Sequence, residues 1–296
     1  MSKKTYFSLA VICLVGLISG ALFDRDIAEV LYRENNIVAV ALSVLGIYMY
    51  YGSFVFFLGV LGRQLFSASN KMMIRCVIAI VYTCFSLSTS TYAAAALLSD
   101  SVCGLLIESN AHSFVRNIVA GLYIFWPLYP LGIIANGKRY DKKVICDLIL
   151  LLSLMTIAIF ASNLVKYLVM RPRFRVTLEG YDGIGFVPVF RRFGEGRLLK
   201  KMHGLKSDDL ASFFSGHAMN GILCTLIFPA YGYVFPKLQG KGRQLIAVAL
   251  IFAIPISFSR IILGDHYLSD ISFGSFVGLM FVVLYGRLRK NFRSLE

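Results

Sequence analysis

Two of the chain's four histidines lie in short polar runs within otherwise apolar sequence, and those runs hold the residue types that could do chemistry. In one, Ser259-Arg260 is followed by five residues, then His266, three more, and Asp270. His266 and Asp270 are four apart, so they share a helix face and can meet. A carboxylate there fixes the imidazole tautomer and leaves the other ring nitrogen to act as nucleophile or base. The alternative is a His–Asp pair that only satisfies polar groups inside the fold. A second run, Ser212-Phe213-Phe214-Ser215-Gly216-His217, opens an apolar stretch. Ser212 or Ser215 can cap a helix there, and Gly216 lets a ligand approach the backbone. The free amides and the positive end of the helix dipole then suit a phosphate. An ordinary cap with an incidental His217 is the plainer alternative. The third run is Lys166 to Arg173, K-Y-L-V-M-R-P-R. Pro172 disfavours helical geometry at Arg171, so a helix should end there, with Lys166 on its last full turn and Arg173 just beyond. These cations can converge on an anion, or serve as snorkelling anchors at a membrane interface. Two neutral histidines and one aspartate, with no nearby Cys or Glu pair, fall short of a metal-ligand set; no metal or other cofactor is expected.

The elements that must position these residues are membrane helices. The 296 residues are 57% hydrophobic and 16% charged, with a net charge of +14 and a mean hydropathy of +0.71. Globular chains carry about 25% charged residues. Basicity alone would suit nucleic acid, but a chain this apolar is neither disordered nor a soluble nucleic-acid binder. Its solvent is the bilayer. Eight segments approach the roughly 20 apolar residues that a crossing needs: Tyr6–Phe23, Ile37–Leu61, Cys76–Leu98, Ile118–Ala135, Val144–Val169, Phe213–Phe235, Leu245–Leu263 and Tyr267–Tyr285. The fold class is therefore all-α, a polytopic membrane helix bundle of about eight transmembrane helices. Asp24–Asn36 reads as a short amphipathic surface helix, and Asp265 as the N-cap of the last span. The span-flanking cations, among them Lys138, Arg139 and Arg289, collect at one set of alternate ends. Both termini are then cytoplasmic, and Met170–Ser212 lies on the other face with all three polar runs. A pocket with Lys166, Arg173, Arg260, a helix N-terminus and two histidines on that face suits a phosphorylated group. The cysteines Cys13, Cys76, Cys84, Cys103, Cys146 and Cys224 form no C-x-x-C pair and read as small core residues. The glycine-rich loop Phe174–Ala211, whose cations include Arg175, Arg191, Arg192, Arg197, Lys200, Lys201 and Lys206, reads as a lid or as a plain structural connection.

Jointly spaced, the three runs resemble the signature of the type 2 phosphatidic acid phosphatase family of integral membrane lipid phosphatases: K-x6-R-P, P-S-G-H and S-R-x5-H-x3-D. Here these stand as Lys166 to Arg173 followed by Phe174, as Phe214-Ser215-Gly216-His217, and as Ser259-Arg260 to His266 and Asp270. Phenylalanine replaces proline at 174 and 214, which changes local stiffness and removes no functional group. The resemblance covers roughly Val144–Tyr285. It implies a six-helix phosphatase core within residues 71–296 and an amino-terminal extension of two spans over residues 1–70. It further implies that His266 attacks phosphorus to form a phosphohistidine, with Asp270 orienting it. His217 would protonate the leaving oxygen and later activate water. Lys166, Arg173, Arg260, Ser215 and Gly216 would hold the phosphoryl oxygens, and no metal is needed.

The expected partner is a phosphorylated lipid presented at the non-cytoplasmic face of a cell membrane, with undecaprenyl pyrophosphate, phosphatidic acid, phosphatidylglycerol phosphate and lipid A as candidates. The compact architecture leans bacterial. A lipid-to-lipid phosphotransferase would use the same site, and a non-catalytic lipid-binding protein or transporter is the alternative from another class. No oligomeric state is specified by the sequence.

Overall fold

The structure, a computed structural model, describes residues 3–99, 113–135, 141–191 and 194–294. The expectations for Cys103, Lys138, Arg139 and Arg192 lie outside the described residues. All regular elements among them are helical: α1 (Lys3–Leu31), α2 (Ile37–Ile47), a π turn (Tyr48–Gly52) leading into α3 (Ser53–Ala68), α4 (Met72–Ser99), α5 (Ser113–Ile124), α6 (Leu128–Ala135), α7 (Lys142–Val169), α8 (Phe174–Thr177), α9 (Gly196–Met202), α10 (Gly216–Ala230), α11 (Gly242–Ile262) and α12 (Leu268–Ser294). The all-α polytopic bundle expected from the sequence is what the chain forms. Seven helical stretches of the described residues are long and apolar enough to cross a membrane: Lys4–Leu31, Ile37–Ala68, Met72–Leu98, Phe114–Ala135, Lys142–Thr177, Gly242–Ile262 and Leu268–Lys290.

The eighth expected span, Phe213–Phe235, is shorter as a helix than as an apolar run. α10 has 15 residues, about 22 Å at 1.5 Å per residue, against a hydrocarbon core of about 30 Å. Residues 212–215 are non-helical, and Pro229 stands in the last turn before a 3-10 turn, Tyr231–Tyr233. α10 is buried along most of its length, and protein-buried segments at membrane depth tolerate such breaks.

Two other elements differ from expectation. α1 does not stop at Phe23: that residue is non-helical (φ −129°, ψ 15°) and kinks the helix, which resumes to Leu31. The resumed segment is amphipathic as expected, with Arg25, Asp26 and Glu29 exposed and Asp24 and Ala28 buried, but it continues α1 across the kink instead of forming a separate helix and ends at Leu31, short of Asn36. α7 ends at Val169, before Pro172 requires it. Met170 takes a left-handed φ of 54° and its N–H closes onto the Lys166 carbonyl at 3.0 Å. Lys166 is on the last turn, as the spacing predicts.

The chain divides into two compact units. One comprises Met1–Gly46, Thr156–Leu223 and Ala247–Leu284, and contains every candidate site residue. The other comprises Ile47–Met155, Cys224–Ile246 and Tyr285–Glu296. In this second unit Asp147 accepts two hydrogen bonds from Arg289, at 2.9 and 2.6 Å, and one from the Tyr233 hydroxyl at 2.6 Å. Arg289 is thus an ion-pair partner as well as a flanking cation. The reading of the cysteines as core residues holds for Cys13 and Cys224. Cys76, Cys84 and Cys146 are exposed on α4 and α7, where a small thiol is compatible with lipid.

Candidate active site

The loop between α11 and α12 carries His266. Gly264 reverses the chain with a left-handed φ of 67°, open to glycine without a Cβ penalty. The N–H groups of Asp265 and His266 then both donate to the Arg260 carbonyl, at 3.0 and 3.1 Å. Nδ1 of His266 lies 2.5 Å from the Ser212 backbone carbonyl. A carbonyl only accepts, so Nδ1 carries the proton and Nε2 keeps its lone pair. Ser212 is itself held by its N–H donating to the Arg171 carbonyl at 3.0 Å.

This arrangement corrects two expectations. Asp270 does not hydrogen-bond His266 directly: Oδ2 is 3.8 Å from Nδ1. That oxygen accepts the Ser212 hydroxyl at 2.5 Å and the Tyr267 N–H at 2.9 Å. Asp270 therefore caps α12 from its own first turn and acts on the imidazole through space and through Ser212. Asp265 is accordingly not the cap. Its carboxylate is shared by Arg173, by Arg175 Nε at 3.1 Å and by Arg260 Nη2 at 2.7 Å. Burial alone would raise its pKa, but Arg173, Arg260 and Arg175 hold it well below the usual carboxylate range. His266 is 1% exposed, and burial pushes its imidazole down to about 4, with Arg173 and Lys166 adding to the shift and Asp270 opposing it.

The cationic residues converge as expected, though not as bare charges. Arg173 donates to the Asp208 carbonyl at 2.7 Å and to the Asp208 and Asp265 carboxylates. Arg260 donates to the Ser43 hydroxyl as well as to Asp265. Ser43 Oγ in turn is 3.2 Å from His217 Nε2, in the first turn of α10. Ser215 caps that helix, its Oγ accepting the Ala218 N–H at 3.4 Å and its own N–H donating to the Asp270 carbonyl at 3.1 Å. A Cβ on Gly216 would lie 3.9 Å from Lys166 Nζ, which places the ammonium over the start of α10. Close approach also requires glycine at 274, where a Cβ would stand 2.4 Å from the Ser215 carbonyl oxygen.

Lys166 lines a cavity of about 870 Å³ together with Tyr167, Arg197, Lys200, Lys201 and Asp208. The loop after α8 forms one wall of it, opposite the end of α7. That loop is folded on a small core of Val176, Ile184, Leu199, Leu205 and Leu210, so it is neither one long helix nor a bare linker. The two phenylalanines at family proline positions are packed. Phe174 lies edge-on to Tyr32 and Tyr267, and Phe214 packs with Phe213 and Phe273.

Four contributors were not singled out from the sequence. Arg171 is buried, with Nη1 on Asp270 Oδ1 at 2.6 Å and on Ser269 Oγ at 2.9 Å, Nη2 on Asp24 Oδ2 at 2.8 Å, and Nε on the Val187 carbonyl at 2.8 Å. Its guanidinium stands 4.1 Å from the Tyr267 ring centroid, within cation–π range. An arginine beside Pro172 and an acid ending the first apolar run are the signals that could have pointed to Arg171 and Asp24, since charge at membrane depth needs a partner. Ser43 and Gly274 have no comparable signal.

The geometry supplies an imidazole whose Nε2 keeps its lone pair, a second imidazole, a helix N-terminus and a set of carboxylate-held guanidinium ions within one compact unit. Neither the curated proteins nor the solved structures contain a match to the chain. A family model described as PAP2 superfamily matches residues 147–294. Half of the sequence and all three polar runs fall within that match, and the chain belongs to the PAP2 superfamily.

Proposed function

We propose that the protein is a membrane-embedded lipid phosphatase that hydrolyses a phosphate monoester or pyrophosphate of a lipid headgroup through a phosphohistidine on His266. The observation that carries this reading is the Ser212 carbonyl on Nδ1, which leaves Nε2 as the free nucleophile beside the cationic cluster. Nε2 attacks phosphorus as the bond to the leaving oxygen breaks, and His217 gives that oxygen its proton. Ser212 and the nearby Asp270 offset the positive charge that develops on the imidazole. His217 then takes a proton from water, which attacks phosphorus, breaks the phosphorus–nitrogen bond and so releases phosphate and restores His266. Lys166, Arg173, Arg260 and the amides at Ser215 and Gly216 supply the field that favours charge build-up on the phosphoryl oxygens. Asp265 and Asp208 keep the guanidinium ions in place. The cavity at Lys166 has the size and charge for a headgroup, and exposed Leu164, Tyr167 and Leu168 on the same stretch of α7 suit an acyl or isoprenoid chain.

The distribution of cations supports an active site on the non-cytoplasmic face of a cell membrane, with both termini cytoplasmic; in this topology α10 counts as a crossing. The test is phosphate release by purified protein from a panel of phosphorylated lipids, alongside His266→Ala. Release without an acceptor lipid, abolished in the variant, is the expected result. An acid-labile, base-stable phosphoryl-enzyme should accumulate when turnover is quenched early. Undiminished release by His266→Ala would sink the mechanism.

A further inference from the structure

The residues matched to the family begin at 147, yet α1 and α2 reach into the candidate site with two polar side chains. Asp24, just after the kink in α1, is 2% exposed. Its Oδ2 accepts from Arg171 Nη2 at 2.8 Å and from the Ser269 hydroxyl, and its Oδ1 accepts the Ser269 N–H at 2.9 Å. Arg171 is thereby gripped between two carboxylates, Asp24 on one edge and Asp270 on the other. Ser43, on α2, is 1% exposed and joins Arg260 to His217.

The backbone is arranged to bring these groups in. A Cβ on Gly16 would lie 2.4 Å from Ser272 Oγ, and one on Gly20 would lie 2.4 Å from the Ser269 nitrogen and 2.8 Å from Asp24 Oδ1. The Gly-x-x-x-Gly face of α1 therefore meets the start of α12 in near-backbone contact, as small residues permit between membrane helices. On α2, a Cβ at Gly46 would come within 3.3 Å of the His217 ring. Helix packing alone would be served better by apolar side chains, because a buried ion costs desolvation that packing does not.

We propose that the amino-terminal helices complete the active site, with Asp24 and Ser43 as positioning residues. This rests on the phosphatase reading above. Asp24 acts through Arg171 on Asp270. With one guanidinium between two carboxylates, the group keeps a net negative charge beneath His266, which offsets the imidazolium formed as the phosphorus–nitrogen bond grows. Ser43 fixes the His217 ring and the Arg260 guanidinium relative to each other, the pair that meets the leaving oxygen and the phosphoryl group.

The test uses the full chain in detergent and the panel lipid that the wild type hydrolyses fastest. Asp24→Asn keeps the shape of the side chain and removes its charge. Asp24→Asn and Ser43→Ala are each expected to lower kcat about ten- to a hundred-fold with KM within about two-fold, and to shift the pH profile. Ser43→Thr restores the rate, and Asp26→Asn, exposed on the same helix, changes neither parameter. The Ser43→Ala effect should vanish in a His217→Ala background, a readout that holds even if Asp24→Asn fails to fold. Wild-type rates and an unmoved pH profile in both variants would overturn the inference while the phosphatase reading stands. So would a loss of kcat that follows the loss of folded protein and is not rescued by Ser43→Thr. A wild type that releases phosphate from no panel lipid would sink the phosphatase reading, and the inference with it.

Discussion

Adding one methyl group at Gly274 should separate catalysis from folding. In the structure a Cβ there would stand 2.4 Å from the Ser215 carbonyl oxygen, 3.3 Å from its carbon and 3.4 Å from its nitrogen. Ordinary contact begins at 3.4 Å, so the start of α10 must move away from α12 by about 1 Å. The obstacle is backbone, and no side-chain rotation relieves it. Ser215 is hydrogen-bonded to the Asp270 carbonyl and precedes Gly216 and His217, so the shift displaces His217 and the α10 amides from His266. A misplacement of about 1 Å costs on the order of a hundred-fold in rate, and overpacking costs about 1–3 kcal/mol of stability. Gly274→Ala is therefore expected to lower kcat for phosphate release about a hundred-fold, with a modest fall in the thermal midpoint. Gly286→Ala is the matched control on the same helix, since a Cβ there meets nothing within 4 Å. Wild-type kcat in Gly274→Ala would refute the claim that contact between α10 and α12 sets the spacing of the two histidines.

Three further outcomes follow from the same geometry. His266, held down to about 4 by burial, is neutral across ordinary pH, so the acid limb of kcat/KM that reports it should fall near pH 4 and not near 6.5. Because the folded pKa is the lower one, the unfolded chain takes up the proton first as pH falls; stability is full above about 6.5 and declines towards 4, by roughly 3 kcal/mol, which a thermal melt against pH checks. Asp270→Asn leaves Arg171 with Asp24 as its one charged partner and removes an acceptor charge near His266. It should cost about 3–5 kcal/mol, as for a broken buried pair, and lower kcat with little change in KM; unchanged thermal stability would count against the pairing. Reversing Arg197 and Lys201 on the cavity wall to Glu should raise KM for an anionic lipid about tenfold at low salt and spare kcat, and the effect should shrink as ionic strength rises. An equal KM at every salt concentration would remove the cavity from substrate binding.

Much of the site was legible because charge is expensive at membrane depth. Lys166, Arg173, Arg260, His217, His266 and Asp270 stand out as polar residues that an apolar bundle would otherwise exclude, and their order along the chain put them at one end of it. The details that decide chemistry were less visible, since they depend on tertiary contact. The partner of His266 Nδ1 is a backbone carbonyl at Ser212, and a carbonyl is present at every residue, so no residue type announces it. Spacing placed His266 and Asp270 on one helix face, but His266 lies in the non-helical connection before the helix, which begins only at Leu268. Asp24 and Ser43 join the site across more than a hundred positions of sequence, and Gly274 marks a helix crossing that hydropathy does not encode. α10 shows the same limit, as an apolar run records what can be buried and not where the helix starts.

If the proposed function holds, Asp265 has a consequence for what happens after a phosphate departs. Three guanidinium ions, those of Arg173, Arg175 and Arg260, meet around one carboxylate. Without a counter-ion they would repel one another and draw in water, and each cycle would have to rebuild the cluster. Asp265 acts as a resident anion that keeps the cluster assembled when empty. On the proposed function an incoming phosphoryl group would find donors already aimed but partly occupied, and inorganic phosphate alone should be held weakly.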